Sequence, residues 1–267
     1  PVKALGNAWQ NTNKKVGAAA GYIGLAGAVV MLSFYSIVAG WMLSYAIEPI
    51  TTFFGFTAAS EFLHSDSMVR NFIFTPLMLI LTASIILKGV KSGIETWSRR
   101  LMPLLLVLLI GLIFYIASLE GASEGFAAYL IPNFSQVLDP NLIIAAMGQA
   151  FFSLSLGMGA MLTYGSYLGK RESIITAACW VVALDTAMAL LAGFIIFPSG
   201  FSIEGFDPSA SGPGLIFAVL PRLFATLPGG QLFGAAFFIL LTMAALTSTI
   251  SLLEVPVAHF IDAHKWP

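Results

Sequence analysis

Gly148–Tyr167 reads GQAFFSLSLGMGAMLTYGSY. Its flanks are apolar enough for a lipid-embedded helix, but its centre carries Ser153, Ser155, Gly157 and Gly159. A straight helix from Asn141 to Leu168 would be about 42 Å long at roughly 1.5 Å per residue, beyond a hydrocarbon core of about 30 Å. Two readings are open. In one, a tilted helix uses the small residues for close packing against a neighbour. In the other, the helix is interrupted near Ser155–Gly159, and its freed carbonyl and amide groups coordinate an ion and a polar substrate. Irregular backbone at that depth is tolerated only where protein or a cavity surrounds it.

The rest of the 267 residues supports a bilayer setting. Hydrophobic residues make up 58%, charged residues only 9%, and the mean hydropathy is +0.91. A soluble domain carries about 25% charged residues. Twelve Lys/Arg and thirteen Asp/Glu cannot cover a water-facing surface of this size. A soluble enzyme, a nucleic-acid binder and a disordered tail are thereby excluded. The single cysteine, Cys179, excludes a disulfide framework and a Cys-based metal site.

Windows of roughly 20 apolar residues predict six spans in an all-α polytopic membrane protein. They are Ala18–Ile47, Asn71–Leu87, Leu101–Leu119, Asn141–Leu168, Ile174–Phe197 and Gly230–Pro256. Apolar residues occur all round each segment, and the alternating segments of a strand barrel are absent. No charged-then-apolar leader precedes them, and a start at Pro1 rather than Met suggests a piece of a longer chain. Lys3, Lys14, Lys15, Lys88, Lys91, Arg99, Arg100, Lys170, Arg171 and Lys265 fall on one side of this arrangement. Only Arg70 and Arg222 fall on the other, among Glu61, Asp66, Glu120, Glu124, Glu204 and Asp207. The positive-inside preference then puts both ends of the segment in the cytoplasm of a cell whose inner membrane it crosses. Two loops are long: Phe53–Arg70, an external excursion, and 198–229, in which apolar Pro213–Leu227 reads as a helical hairpin on the outer surface.

An ionisable residue inside a span costs a few kcal/mol and marks a candidate site. Asp185 lies near the middle of Trp180–Phe197, WVVALDTAMALLAGFIIF. It is either a hydrogen-bonded structural carboxyl or a group facing a cation. Glu254 sits near the end of the last span, where snorkelling is an equal explanation. In Met243–Glu254, MAALTSTISLLE, Ala244, Thr247 and Ser248 share one helix face. Their oxygens suit an alkali cation, although Ser and Thr in such helices usually bond back to their own backbone. Tyr35 is buried at membrane depth, and its hydroxyl meets either a neighbouring helix or a cavity.

Together, Phe151–Tyr167 (FFSLSLGMGAMLTYGSY), Leu184–Phe197 (LDTAMALLAGFIIF), Ala210–Phe217 (ASGPGLIF), Leu241–Glu254 (LTMAALTSTISLLE) and Tyr35–Trp41 (YSIVAGW) resemble the neurotransmitter:sodium symporter family, specifically its bacterial amino-acid transporters. The resemblance implies an inverted five-helix-repeat fold of about twelve helices, of which these spans match the third to the eighth. The first two helices and the last ones would then be missing partners, and the first normally supplies ligands to both sodium sites and the substrate. It implies sodium-driven symport of hydrophobic or neutral amino acids by alternating access. The partners are then a small amino acid, sodium ions and the lipid bilayer, with no nucleic acid.

By the same resemblance, Tyr35 matches the tyrosine that bonds the substrate carboxylate. Phe152 matches the aromatic that closes over the substrate, and Ser155 the serine that meets its amino group. Met31, Met158, Ser248 and Leu252 match positions that shape the side-chain pocket. Ser153 and Asp185 match ligands of the first sodium site, Ala244, Thr247 and Ser248 those of the second. Asp185 stands where many members have asparagine, and Ala189 where chloride-dependent members have serine. A fixed carboxylate there would supply the charge that chloride otherwise provides. Among competing classes, an intramembrane protease lacks its Ser/His or paired-Asp signature, and a channel lacks a filter. A non-transporting structural or degenerate membrane subunit remains the alternative.

Overall fold

The structure is a computed structural model. It describes the backbone of residues 1–11, 13–87, 90–132, 134–169, 172–202, 214–226 and 230–264, with the side chains of 90–98, 100–101, 136, 214–215, 218 and 264 outside the description. The expectations resting on Lys88, Lys91, Arg100, Lys170, Arg171, Glu204, Asp207, Lys265 and the Ala210–Pro213 part of the external motif therefore lie outside the described residues.

The described helices are α1 (Val2–Ala8), α2 (Lys14–Phe53), α3 (Thr57–His64), α4 (Met68–Ile86), α5 (Val90–Ile116), α6 (Ala122–Leu130), α7 (Pro140–Ser153), α8 (Ala160–Gly165), α9 (Ile174–Phe201), α10 (Gly214–Thr226) and α11 (Gly230–His264). Their starts follow from capping chemistry. Asn13 accepts from the amides of Lys15 and Val16 at the head of α2. Asp139 accepts from Asn141 N–H just before Pro140, which is preset for a first helical turn. Ser173 accepts from Thr176 N–H at the head of α9.

Among the described residues four helices, α2, α4, α9 and α11, are long and apolar enough to cross a membrane. The third expected span corresponds to the apolar Met102–Ile116 part of α5. The fourth is split between α7 and α8, so the interrupted reading of Gly148–Tyr167 is the one that the backbone adopts. One expectation is corrected. The external stretch over Pro213–Leu227 is no hairpin, because its described residues form the single helix α10. Pro221, at its eighth position, did not break it. The fifth span also runs on through Pro198 to Phe201, so the expected loop 198–229 opens four residues later than the sequence suggests.

The core sits where α2 and α11 lie along each other, with α4, α5 and α10 packed onto α11. Met42, Met78, Leu109, Leu246 and Ile250 fill it, and Phe217, Phe224, Phe237 and Phe238 close one end. Buried hydroxyls also join the helices: Thr82 of α4 and Thr249 of α11 stand 2.8 Å apart. By contrast α7 buries none of its residues and α9 few, as expected of helices facing lipid or further protein.

A candidate ion and substrate site at the helix break

The break begins where α7 ends. Ser155 N–H bonds to Phe152 O at 3.1 Å and Leu156 N–H to Phe151 O at 2.9 Å. Those two bonds are the Schellman pattern, in which the turning residue takes a left-handed conformation and is normally glycine. Here it is Ser155, with φ of 53°. A non-glycine residue there stores strain of about 1–3 kcal/mol, and such strain gathers at functional sites. Gly157 and Gly159 follow with φ of 80° and 77°, and α8 restarts as Thr163 N–H bonds to Gly159 O. The loop is held close to α2 because Gly24 has no side chain: a Cβ there would stand 2.9 Å from Gly157 O.

Between α2, the break and α11 lies a cavity of about 300 Å³. Met31, Tyr35, Phe152, Ser155, Met158, Ser248 and Leu252, every residue expected at the substrate, line it. Tyr35 meets Ser248 across the space. Beneath, Ala28, Ala160 and Val255 pack with Leu25 and Met158 as an apolar floor.

The expected ion ligands fall into two groups. Ser153 lines the cavity, and its hydroxyl donates to both oxygens of Asp185, at 2.7 and 2.8 Å. Asp185 is half-buried, and among the described residues no basic group lies within 4.0 Å of it; the one ion pair, Arg70–Asp66, is remote in sequence and element. A carboxylate and a hydroxyl brought together without a cation make a hard oxygen donor set. In the second group Thr247 and Ser248 line the cavity but donate to Ala244 O, at 2.7 and 3.4 Å. This is the back-bonded arrangement usual for such helices. Each hydroxyl keeps its lone pairs for another partner. Among the described residues there is no group of three His, Cys, Asp or Glu side chains that could hold a metal ion.

The sequence reading missed two residues that line the cavity, Ala160 and Ser251. Ser251 was findable, standing three residues after Ser248 on the same helix face. It accepts a hydrogen bond from Tyr164 at 3.0 Å, and one turn further Tyr167 donates to Glu254 at 2.7 Å. Glu254 is thus buried and bonded rather than snorkelling outward.

The chain is similar to known proteins over most of its length. Residues 67–266 match the model of the Sodium:neurotransmitter symporter family. An uncharacterized sodium-dependent transporter of Haemophilus influenzae is 41% identical over 244 residues, 88% of this chain and 53% of that protein. The uncharacterized sodium-dependent transporter YhdH of Bacillus subtilis is 40% identical over 89% of this chain and 53% of its own. A crystal structure of MhsT in complex with L-phenylalanine superposes with a TM-score of 0.87 at 44% identity, covering 99% of this chain and 60% of that one. The chain spans about half the length of the curated relatives it matches. With a family match over most of the chain and the same helical path in a solved relative, this multi-pass membrane chain belongs to the sodium:neurotransmitter symporter family.

Proposed function

We propose that the chain forms the substrate- and ion-binding part of a sodium-driven, chloride-independent symporter of hydrophobic or neutral amino acids. The observation that carries this reading is the convergence of all the expected substrate residues on one cavity beside the Ser153–Asp185 pair. Family membership puts the chain among carriers rather than enzymes. In this reading Tyr35 donates to the amino acid's carboxylate, and Ser155 meets its amino group. Phe152 closes the cavity, and Met31, Met158, Ser248 and Leu252 enclose the side chain. Sodium is held at two sites, each partly supplied by this chain: Ser153 with Asp185, and Ala244 with Thr247 and Ser248. The remaining ligands come from further helices of the same transporter. Sodium favours the occluded state, and the bundle then opens inward by alternating access. The membrane is the inner membrane, with both ends of this segment cytoplasmic.

Two measurements test this directly. Uptake of labelled amino acid by the full-length protein in liposomes is expected to require an inward sodium gradient and to survive replacement of chloride by gluconate. Loss of uptake in gluconate removes the charge-supplying role of Asp185. In competition, tryptophan and leucine are expected to displace the label at lower concentration than glycine, because Met31, Phe152, Met158 and Leu252 offer apolar surface in the lining and methionines adapt in shape. The complex of MhsT with L-phenylalanine supports a pocket for large side chains. Preferential displacement by glycine overturns that assignment.

Ser155 supplies a further prediction. Ser155→Gly removes the left-handed strain and is expected to stabilise the protein by about 1 kcal/mol. It also removes a hydroxyl from the cavity, so amino-acid affinity is expected to fall roughly tenfold. Thermal unfolding and a binding isotherm on the same sample separate the two effects.

A further inference from the structure

Met158 stands in the helix break between Gly157 and Gly159, and its side chain lines the central cavity. On α2, Gly24, Gly27, Met31 and Tyr35 follow one another at spacings of three, four and four residues, which puts them on one helix face. Met31 and Tyr35 line the cavity, whereas neither glycine does.

The two glycines meet the break in different ways. A Cβ on Gly24 would stand 2.9 Å from Gly157 O, so no side chain fits between α2 and the backbone of the break. A Cβ on Gly27 would instead meet the Met158 side chain, with Cγ 3.8 Å away, an ordinary contact. Among the described residues nothing outside its own helix backbone and chain neighbours comes closer. Below Met158 the structure has nothing to yield. Ala28, Ala160 and Val255 are fully or almost fully buried there, and Leu25 packs against them. Forcing atoms into such a floor is destabilising. Over Gly27 there is room, and methionine, unbranched and with three rotatable bonds, can move into it. This wall of the cavity therefore has a fixed backbone, a fixed floor and one adaptable side chain beside a missing one.

We propose that Gly27 sets the largest amino-acid side chain that the cavity admits, by leaving Met158 space to withdraw over α2. The proposal rests on the reading of the cavity as an amino-acid site. Gly27 does not touch the bound molecule; it determines specificity through Met158. A small side chain such as that of alanine leaves Met158 where it stands and has no use for the space. Tryptophan displaces Met158 and requires it. Bulk at position 27 leaves every lining residue unchanged and removes only the retreat.

The test measures sodium-dependent binding of labelled leucine to the full-length transporter in lipid nanodiscs, competed by alanine, phenylalanine and tryptophan. Gly27→Val adds carbons beyond Cβ on the Met158 side. It is expected to weaken tryptophan and phenylalanine roughly tenfold or more, the discrimination that a methylene group confers in an apolar pocket. Alanine is expected to stay within about twofold, since it does not call on the space. In a Met158→Ala background the side chain that needs the room is gone. There Gly27→Val is expected to change tryptophan affinity by less than about threefold, the signature of coupling between the two positions. Should Gly27→Val fail to fold, Gly27→Cys adds a single atom beyond Cβ and is expected to weaken tryptophan at least about threefold more than alanine. Equal losses for alanine and tryptophan would make Gly27 a helix-packing residue and overturn the proposal. So would a tryptophan affinity that neither variant alters, or a loss of the same size when Met158 is alanine. A native protein that binds none of these amino acids in sodium overturns instead the amino-acid reading of the cavity.

Discussion

Asp185→Asn is expected to weaken the sodium dependence of amino-acid binding by roughly a hundredfold, the larger end of what a metal-orienting group contributes. The substitution changes little else. Asparagine has the same size and still offers an oxygen to the Ser153 hydroxyl, which donates to Asp185 in the native chain. Asp185 has no basic partner within 4.0 Å among the described residues, so no ion pair is broken. A large loss in sodium affinity with an unchanged unfolding temperature therefore isolates the missing negative charge. A sodium titration of binding to the full-length protein that is unaltered by Asp185→Asn would make the residue a structural carboxyl.

The second large effect is expected at Gly24. Its missing side chain lets the loop at Gly157–Gly159 press against α2, and a Cβ would lie 2.9 Å from Gly157 O and 3.5 Å from Gly159 N. Backbone cannot swing aside as a side chain does. Gly24→Val is expected to destabilise the protein by about 1–3 kcal/mol, the usual result of overpacking, and to distort the cavity so that amino-acid binding is lost. Gly27→Ala, one turn further along α2, is the control. Its Cβ would meet only Met158 Cγ, at 3.8 Å, an ordinary contact. It is expected to be neutral or slightly stabilising, since alanine suits a helix better than glycine. Equal unfolding temperatures for the two variants would show that the close approach at Gly24 is not required.

Those two residues also mark how far the sequence could be read. Asp185 was legible because a charge in an apolar span is costly, and Ser153 because it lies in an anomalous stretch. That they meet was not legible, since 32 residues separate them and only folding joins α7 to α9. Gly24 gave no signal at all. It is one of several glycines along α2, and only the path of a distant loop makes it matter. The helix break was visible as an ambiguity, because small residues serve packing and interruption alike; the left-handed Ser155 resolves it. Pro213–Leu227 was read as a hairpin because it is apolar but too short to span, whereas its described residues form the single helix α10. At the far end of α2, Glu48 was not among the residues singled out in the sequence, and its contact with Ser60 depends on α3 folding back against it.

The interrupted crossing has a consequence for motion. With six residues, α8 is far too short to hold its shape alone, since an isolated helix needs about 12–15. Its order is borrowed from α11, through Tyr164 and Ser251, and from the α2 face at Gly24. On the other side of the break α7 buries none of its residues and is tied to α9 by the Ser153 hydroxyl on Asp185. The two halves of one membrane crossing are thus owned by different neighbours. The Ser155–Gly159 stretch is a universal joint, across which one end of the crossing can tilt without dragging the other along.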